Sequence, residues 1–229
     1  MTVSQLSRRM RRRAVAPEHK TEKRAAIVAA AEELARRGPS SSCSVDLLAR
    51  KAGLAKGTVY LYFRSREEVL LAVHEKQSHA IFDAVEAALD VPKADGASVV
   101  RAGLRYLRAH PEFFPLAGSC RSMLDAGVGT DAAFSYKKGM AERLERLGRK
   151  IERLYPGLAR GAGAALLGNS YALIIGLWQQ ADVPACLRPV INRPELRPLR
   201  IDFEKQLAAA LLDLWDAAAR RGSKGSGKP

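Results

Sequence analysis

Apolar side chains recur along the chain at spacings of three and four, and no run of residues alternates with a period of two. Strands bury every second residue and helices bury a stripe of period about 3.6, so the pattern predicts an all-α fold. Periodicity begins near Thr21, a capping residue followed by Glu22, and Ile27, Ala30, Ala31 and Leu34 mark one face. Arg36, Arg37 and Gly38 suit the end of that helix. Ser44 caps a second, short helix through Val45, Leu48, Ala49 and Ala52 that stops at Gly53, and a third runs from about Lys56 to Phe63. Ser65, Arg66, Glu67 and Glu68 read as a capping box that opens a longer fourth helix reaching about Leu89.

Beyond a break over 91–96, Val100, Leu104 and Leu107 mark a helix ended by His110 and Pro111, and another covers Pro111 to Leu124. Met140, Leu144, Leu147, Ile151 and Leu154 follow a 4,3,4,3 spacing, with Glu142–Arg146 and Glu145–Arg149 as i,i+4 pairs on the exposed side. Residues 183–200 hold four prolines and read as an irregular connection; Leu207, Leu211, Leu214 and Ala218 mark a last helix.

The chain has 229 residues, enough for one or two domains with real cores, and its formal charge is +14. That charge is unevenly spread. Residues 1–72 carry 15 basic and 7 acidic side chains, a net of +8, and residues 220–229 add +4, leaving only +2 on the long middle. A basic end joined to a nearly neutral body points to a polyanion-binding module attached to something else. Three cysteines far apart in sequence fit neither a disulfide framework nor a zinc knuckle, and no apolar run follows the N-terminal arginines, so a cytoplasmic setting is expected.

The segment SVDLLARKAGLAKGTVYLYF, residues 44–63, holds two short helices joined by a turn at Gly53. That is the helix-turn-helix geometry, in which the second helix lies in a DNA major groove and the first braces it. Leu48, Ala49, Leu54, Val59 and Phe63 supply the apolar contact between the helices, and Lys56, Thr58, Tyr60 and Tyr62 supply an outward polar face. Core packing is the competing role for Tyr60 and Phe63, and for Phe63 it is the expected one.

The run KRAAIVAAAEELARRG, the A-x-x-AG-x-x-KGT-x-Y-x-YF-x-S core and the following EEVLLAV together resemble the DNA-binding domain of the TetR family of transcriptional regulators, over residues 20–75. The resemblance implies a three-helix DNA-binding domain joined by a long fourth helix to a helical-bundle domain that binds a ligand and dimerises. The expected layout is a basic, disordered arm over 1–19, the helix-turn-helix domain over 20–72, the effector and dimerisation domain over 73–221 and a disordered tail over 222–229. It also implies roles: Lys56, Gly57, Thr58, Tyr60 and Tyr62 face the groove, Ser44 offers a capped helix end to a phosphate, and Arg66 contacts a phosphate.

Two departures from the family pattern bear on those contacts. Ala55 stands where serine is usual, removing a side-chain cap from the recognition helix. Asp46 brings a negative charge to the DNA-facing side unless a neighbour such as Arg50 pairs with it. The arginines at 8, 9, 11, 12 and 13 either follow a minor groove or form a solvated tail that attracts DNA without reading it.

Between Arg160 and Asp182 lie 21 uncharged residues, long enough for a membrane span, yet Asn169, Ser170, Gln179 and Gln180 dilute them. Ala164, Gly168, Ala172 and Gly176 form a small-residue groove there. With Leu207, Leu211, Leu214 and Trp215 it suits a two-fold four-helix dimer interface; an ordinary intrachain core helix is the alternative. A homodimer would present two recognition helices to a palindromic operator. The effector is unknown, and candidate contacts are Phe113, Phe114, Met123, Phe134, Met140, Tyr171 and Trp178. His110 is either a further contact or a structural helix-end histidine. No cofactor, metal site or catalytic motif is expected: His74 and His79 are about 140° apart around a helix, and HExxH, P-loop, GxGxxG and GxSxG patterns are absent. The implied function is a regulator, in the family's usual mode a repressor released by its effector. The rival is a nonspecific nucleoid-type DNA-binding protein.

Overall fold

The computed structural model describes residues 20–36, 43–125 and 127–224, so the arginine arm, Gly38 and the last five residues of the tail lie outside the described residues. Every long element among them is an α-helix: α1 (20–36), α2 (Val45–Lys51), α3 (Lys56–Tyr60), α4 (Arg66–Leu89), α5 (Gly96–Ala109), α6 (Phe113–Asp125), α7 (Thr130–Leu154), α8 (Ala162–Ala181), α9 (Arg188–Ile191) and α10 (Phe203–Lys224). The proline-rich connection adds two short 3-10 turns beside α9, and α10 runs past residue 222 into the segment expected to be a tail. The chain divides into two compact units, a head of residues up to His74 with Ser119–Ala133, and a body of Glu75–Gly118 with Phe134 onward.

In the head, Ile27, Ala31, Leu48, Val59, Phe63, Val69 and Leu70 are buried. Gly53 closes α2 with φ +66°, a left-handed backbone that favours glycine, and so sets the turn into α3. The Lys51 ammonium holds Glu33 of α1 at 2.6 Å, and the Arg24 guanidinium lies 5.0 Å from the centre of the Phe63 ring. Ser65 caps α4 as expected, its hydroxyl accepting from the Glu68 amide at 3.1 Å. The Glu68 carboxylate takes other partners than a capping box would give it. It accepts from the Arg64 amide at 2.7 Å and from the Gly129 amide at 3.2 Å, tying the start of α4 to the segment between α6 and α7.

In the body, Leu107, Phe113, Leu147, Ile151, Leu166, Leu207, Leu211 and Trp215 form one core. Within it the Trp215 indole N–H donates to the Ser170 hydroxyl at 3.1 Å, which in turn donates to the Leu166 carbonyl at 2.8 Å. Leu207, Leu211 and Trp215 are only 1%, 4% and 3% exposed, so they pack within their own chain and do not supply the dimer surface expected of them. An apolar stripe announces burial without saying in which chain. Helix α8 contributes Gly163, Leu166, Leu167 and Ser170 to this interior, and among the described residues no helix is long and apolar enough to cross a membrane.

Two devices bind α7 into the body. Asp83 and Glu86 on α4 and Asp90 just past its end face Arg143, Arg146 and Lys150 on α7, with Arg146 to Glu86 at 2.7 Å and Lys150 to Glu86 at 3.0 Å. Arg146 thus turns to α4 and not to Glu142, which pairs with Lys138 at 3.7 Å; Glu145–Arg149 forms as expected at 3.8 Å. The hydrogen bond from Lys150 is the first cause that holds the Glu86 carboxyl below its ordinary pKa. On its other side α7 meets α8 backbone to backbone. A Cβ on Gly148 would stand 2.6 Å from the Ala164 amide nitrogen, and one on Gly163 would collide with the Gly148 carbonyl. Ala164 is therefore committed to this crossing, whereas a Cβ at Gly168 or Gly176 would meet nothing within 4 Å. The Glu152 carboxylate accepts from the Gly161 and Gly163 amides at 2.8 and 3.2 Å, capping α8 from α7.

Candidate nucleic-acid interface and ligand cavities

Helix α3 is a single short turn and a half whose inward side is one residue wide, Val59 at 1% exposure. Of the rest of the helix, Lys56, Gly57 and Tyr60 are exposed and Thr58 is half-buried; in the turn that follows, Tyr62 is half-buried and Phe63 buried. Tyr60 is 48% exposed and so is not a core residue. Ser44 caps α2, its hydroxyl accepting from the Leu47 amide at 3.3 Å, and Arg66 sits at the start of α4 beside Glu67 at 3.4 Å. Ala55 caps α3 with no side-chain hydrogen bond, which leaves the first amides of the recognition helix available to an acceptor from outside.

Asp46 pairs not with Arg50 but with Lys56, whose ammonium donates to its carboxylate at 3.0 Å. That hydrogen bond is the main reason the Lys56 pKa is raised. The i,i+4 neighbour is the natural guess from sequence; the partner ten residues on is brought there by the turn at Gly53. One cation of the recognition helix is thus half-neutralised by an acid on the bracing helix. Asp46→Asn is expected to tighten binding to any duplex about fivefold at low salt, since one repelled charge near a phosphate is worth about 1 kcal/mol in water. Fluorescence anisotropy across a salt series checks this, and unchanged affinity would show that Asp46 stands clear of the DNA. Sequence reasoning also passed over Leu61, which follows α3 and is 78% exposed. An apolar residue in a turn carries no periodic signal.

The candidate effector contacts are distributed over two cavities and beyond. An inner cavity of about 80 Å³ is lined almost wholly by apolar groups of α4, α5, α6, α8 and α10, among them Phe113, Tyr171 and Trp215. A second, more open cavity of about 450 Å³ includes Phe114 and Trp178. Met123, Phe134 and Met140 line neither; Met123 is buried in the head unit and Phe134 is 69% exposed. His110 caps the end of α5, its ring tilted 32° to that of Tyr106 with centroids 4.3 Å apart and its Nδ1 3.3 Å from the Glu112 carboxylate, a set of contacts that suits a structural helix-end residue.

Helical elements throughout the described residues, with an exposed short helix held on a bracing helix in the head unit and cavities in the helical body unit, define a helix-turn-helix DNA-binding protein. Known families agree. The bacterial regulatory protein model of the tetR family matches residues 27–73, and the tetracyclin repressor-like C-terminal domain model matches 75–218. The chain belongs to the TetR family and is a transcriptional regulator. It is similar to the HTH-type transcriptional regulator EthR of Mycobacterium tuberculosis, 32% identical over 108 residues that make up 47% of each chain. The match to EthR of Mycolicibacterium smegmatis is 32% over 128 residues, 56% of each. The chain thus spans about half the length of the curated relatives it matches. Among solved structures, a tetR family transcription regulator from Shewanella sp. PV-4 aligns with a TM-score of 0.53 at 19% identity, covering 85% of this chain and 97% of that one. The TetR family regulator PfmR from Thermus thermophilus aligns at 0.50 and 22%, covering 83% and 97%. At these identities the likeness establishes the shared fold.

Proposed function

We propose that the protein is a repressor that binds a palindromic operator as a homodimer and is released when a small molecule enters its body. The observation that carries this is α3, a helix anchored by Val59 alone with Lys56, Thr58 and Tyr60 turned outward on a basic head. A helix so presented would turn Thr58 and Tyr60 to base edges, while Arg66, the Ser44 helix end and Lys56, drawn from Asp46, would contact phosphates. Leu61 adds an apolar surface suited to a thymine methyl.

The dimer rests on the outward side of α8. Ala165, Gly168, Asn169 and Ala172 are exposed along one face, with no side chain large enough to keep a second helix at a distance. A second copy packed there, with the exposed side of α10, makes a two-fold bundle, and two α3 helices then read two half-sites. The cavities of the body give the effector its place.

Competition binding tests the proposal against the nucleoid-type alternative. A palindromic duplex from beside the protein's own gene is expected to bind at least tenfold tighter than its scrambled sequence at moderate salt. Equal binding to both, for every upstream fragment, would favour a nonspecific DNA-binding protein.

A further inference from the structure

The larger cavity of the body has a chemistry of its own. Its walls come from α5 (Leu104, Leu107 and Arg108), the start of α6, the end of α8 and the start of α10. Three aromatic rings make one side. Phe114 stacks on Trp178 with centroids 5.8 Å apart and an interplanar angle of 16°, and meets Phe203 edge-on at 5.2 Å. The Trp178 ring is seated against Gly118, where a Cβ would stand 2.6 Å from it, so the wall is held by packing before any ligand arrives.

The charges at the rim do not balance. Arg108 is committed to Glu204 across the cavity at 2.9 Å. Asp182, which caps α8, also lines the cavity, and among the described residues nothing pairs with its carboxylate. Helix α8 has no basic residue in its last turn, so the negative end of its dipole points the same way as Asp182. The cavity therefore offers one carboxylate in excess and a helix C-terminus beside an aromatic wall of Phe114, Trp178 and Phe203, a setting that favours a positive charge. Leu104 and Leu107 line both this cavity and the smaller one walled by Phe113 and Trp215, so the two cavities are neighbours that share these apolar side chains.

We propose that the effector is an amphipathic organic cation, its charged head among Trp178, Asp182 and Glu204 and its apolar part directed past Leu104 and Leu107 towards the inner cavity. This deepens the effector half of the function proposed above and rests on it for the link to DNA release. An anionic amphipath of the same length would bring its head to two carboxylates and one arginine already engaged. The selectivity runs against the charge of the whole chain, which at +14 favours anions wherever binding is unspecific.

The test uses the full chain and three probes of equal chain length, decyltrimethylammonium, decanol and decanoate, each below its critical micelle concentration. The two tryptophans report separately, since Trp178 lines the outer cavity and Trp215 the inner one. Titration of the wild-type chain, Trp178→Phe and Trp215→Phe by fluorescence assigns each signal, and calorimetry gives the affinities. The ammonium is expected to bind at least tenfold tighter than decanoate and to perturb both tryptophans. The double variant Asp182→Asn with Glu204→Gln alters two exposed side chains, leaves the fold intact by circular dichroism, and is expected to abolish or reverse the preference. Decanoate binding as tightly as the ammonium, no probe binding, or a preference untouched by the double variant would overturn the proposal. Operator binding measured on the same preparation keeps the two proposals apart. Selective operator binding with decanoate preferred refutes the cation alone, and cation selectivity without operator selectivity refutes the regulator alone.

Discussion

Gly163→Ala is expected to destabilise the body by about 3 kcal/mol, the upper end of what an overpacked core costs, and to lower the melting temperature by roughly 6–12 °C. The new methyl group would fall on the Gly148 carbonyl, and backbone on backbone leaves no side-chain rotamer to move. Relief requires α7 and α8 to separate, which also pulls Glu152 from the Gly161 and Gly163 amides. Gly103→Ala is the matched control. It lies within α5, a Cβ there would meet nothing within 4 Å, and exchanging glycine for alanine in a helix is favourable by about 1 kcal/mol. Thermal unfolding followed at 222 nm should therefore move in opposite directions for the two variants. A Gly163→Ala protein that melts with the wild type would mean that α7 and α8 do not meet in solution as described.

Tyr60→Ala is expected to leave stability within about 0.5 kcal/mol, because the ring is half-exposed, while weakening operator binding by about 1–3 kcal/mol, roughly ten- to a hundredfold. Nonspecific duplex should lose far less, so the specificity ratio falls. Lys56→Ala should behave differently, weakening both kinds of DNA together and lowering the salt slope by about one. Val59→Ala should do neither cleanly. It removes the buried anchor of α3, so the recognition helix loosens and all binding declines with the stability of the head. Anisotropy titrations with operator and scrambled duplex at three salt concentrations separate these three behaviours. A Tyr60→Ala variant with wild-type specificity would remove that residue from base readout.

Much of this architecture is visible in local sequence. Helix α4 runs from Arg66 to Leu89 because Ser65 caps it and nothing interrupts it, and the 4,3,4,3 spacing of α7 survives intact. The recognition helix was legible in type but three residues too long, because Leu61 and Tyr62 continue in a turn and not in the helix. Contacts between distant residues were harder to see. The Glu68 carboxylate finds the Gly129 amide 61 positions away, and the pairing of α4 acids with α7 bases is offset by 60. The matching 3,4 spacing of Asp83, Glu86 and Asp90 with Arg143, Arg146 and Lys150 was a signal for that ladder, masked by the equally plausible i,i+4 pairs within α7. The apolar face of α10 is satisfied inside its own chain, which moves the proposed dimer surface to the small, exposed residues of α8.

The most direct test of a two-headed reader is a hydroxyl-radical footprint on the DNA upstream of the protein's own gene. Two recognition helices related by a two-fold axis should protect two patches on one face of the duplex, their centres about 34–36 Å apart or a multiple of that, with dyad-related sequences. Protection that spreads evenly over any sequence, or a single patch without a symmetric partner, would contradict it.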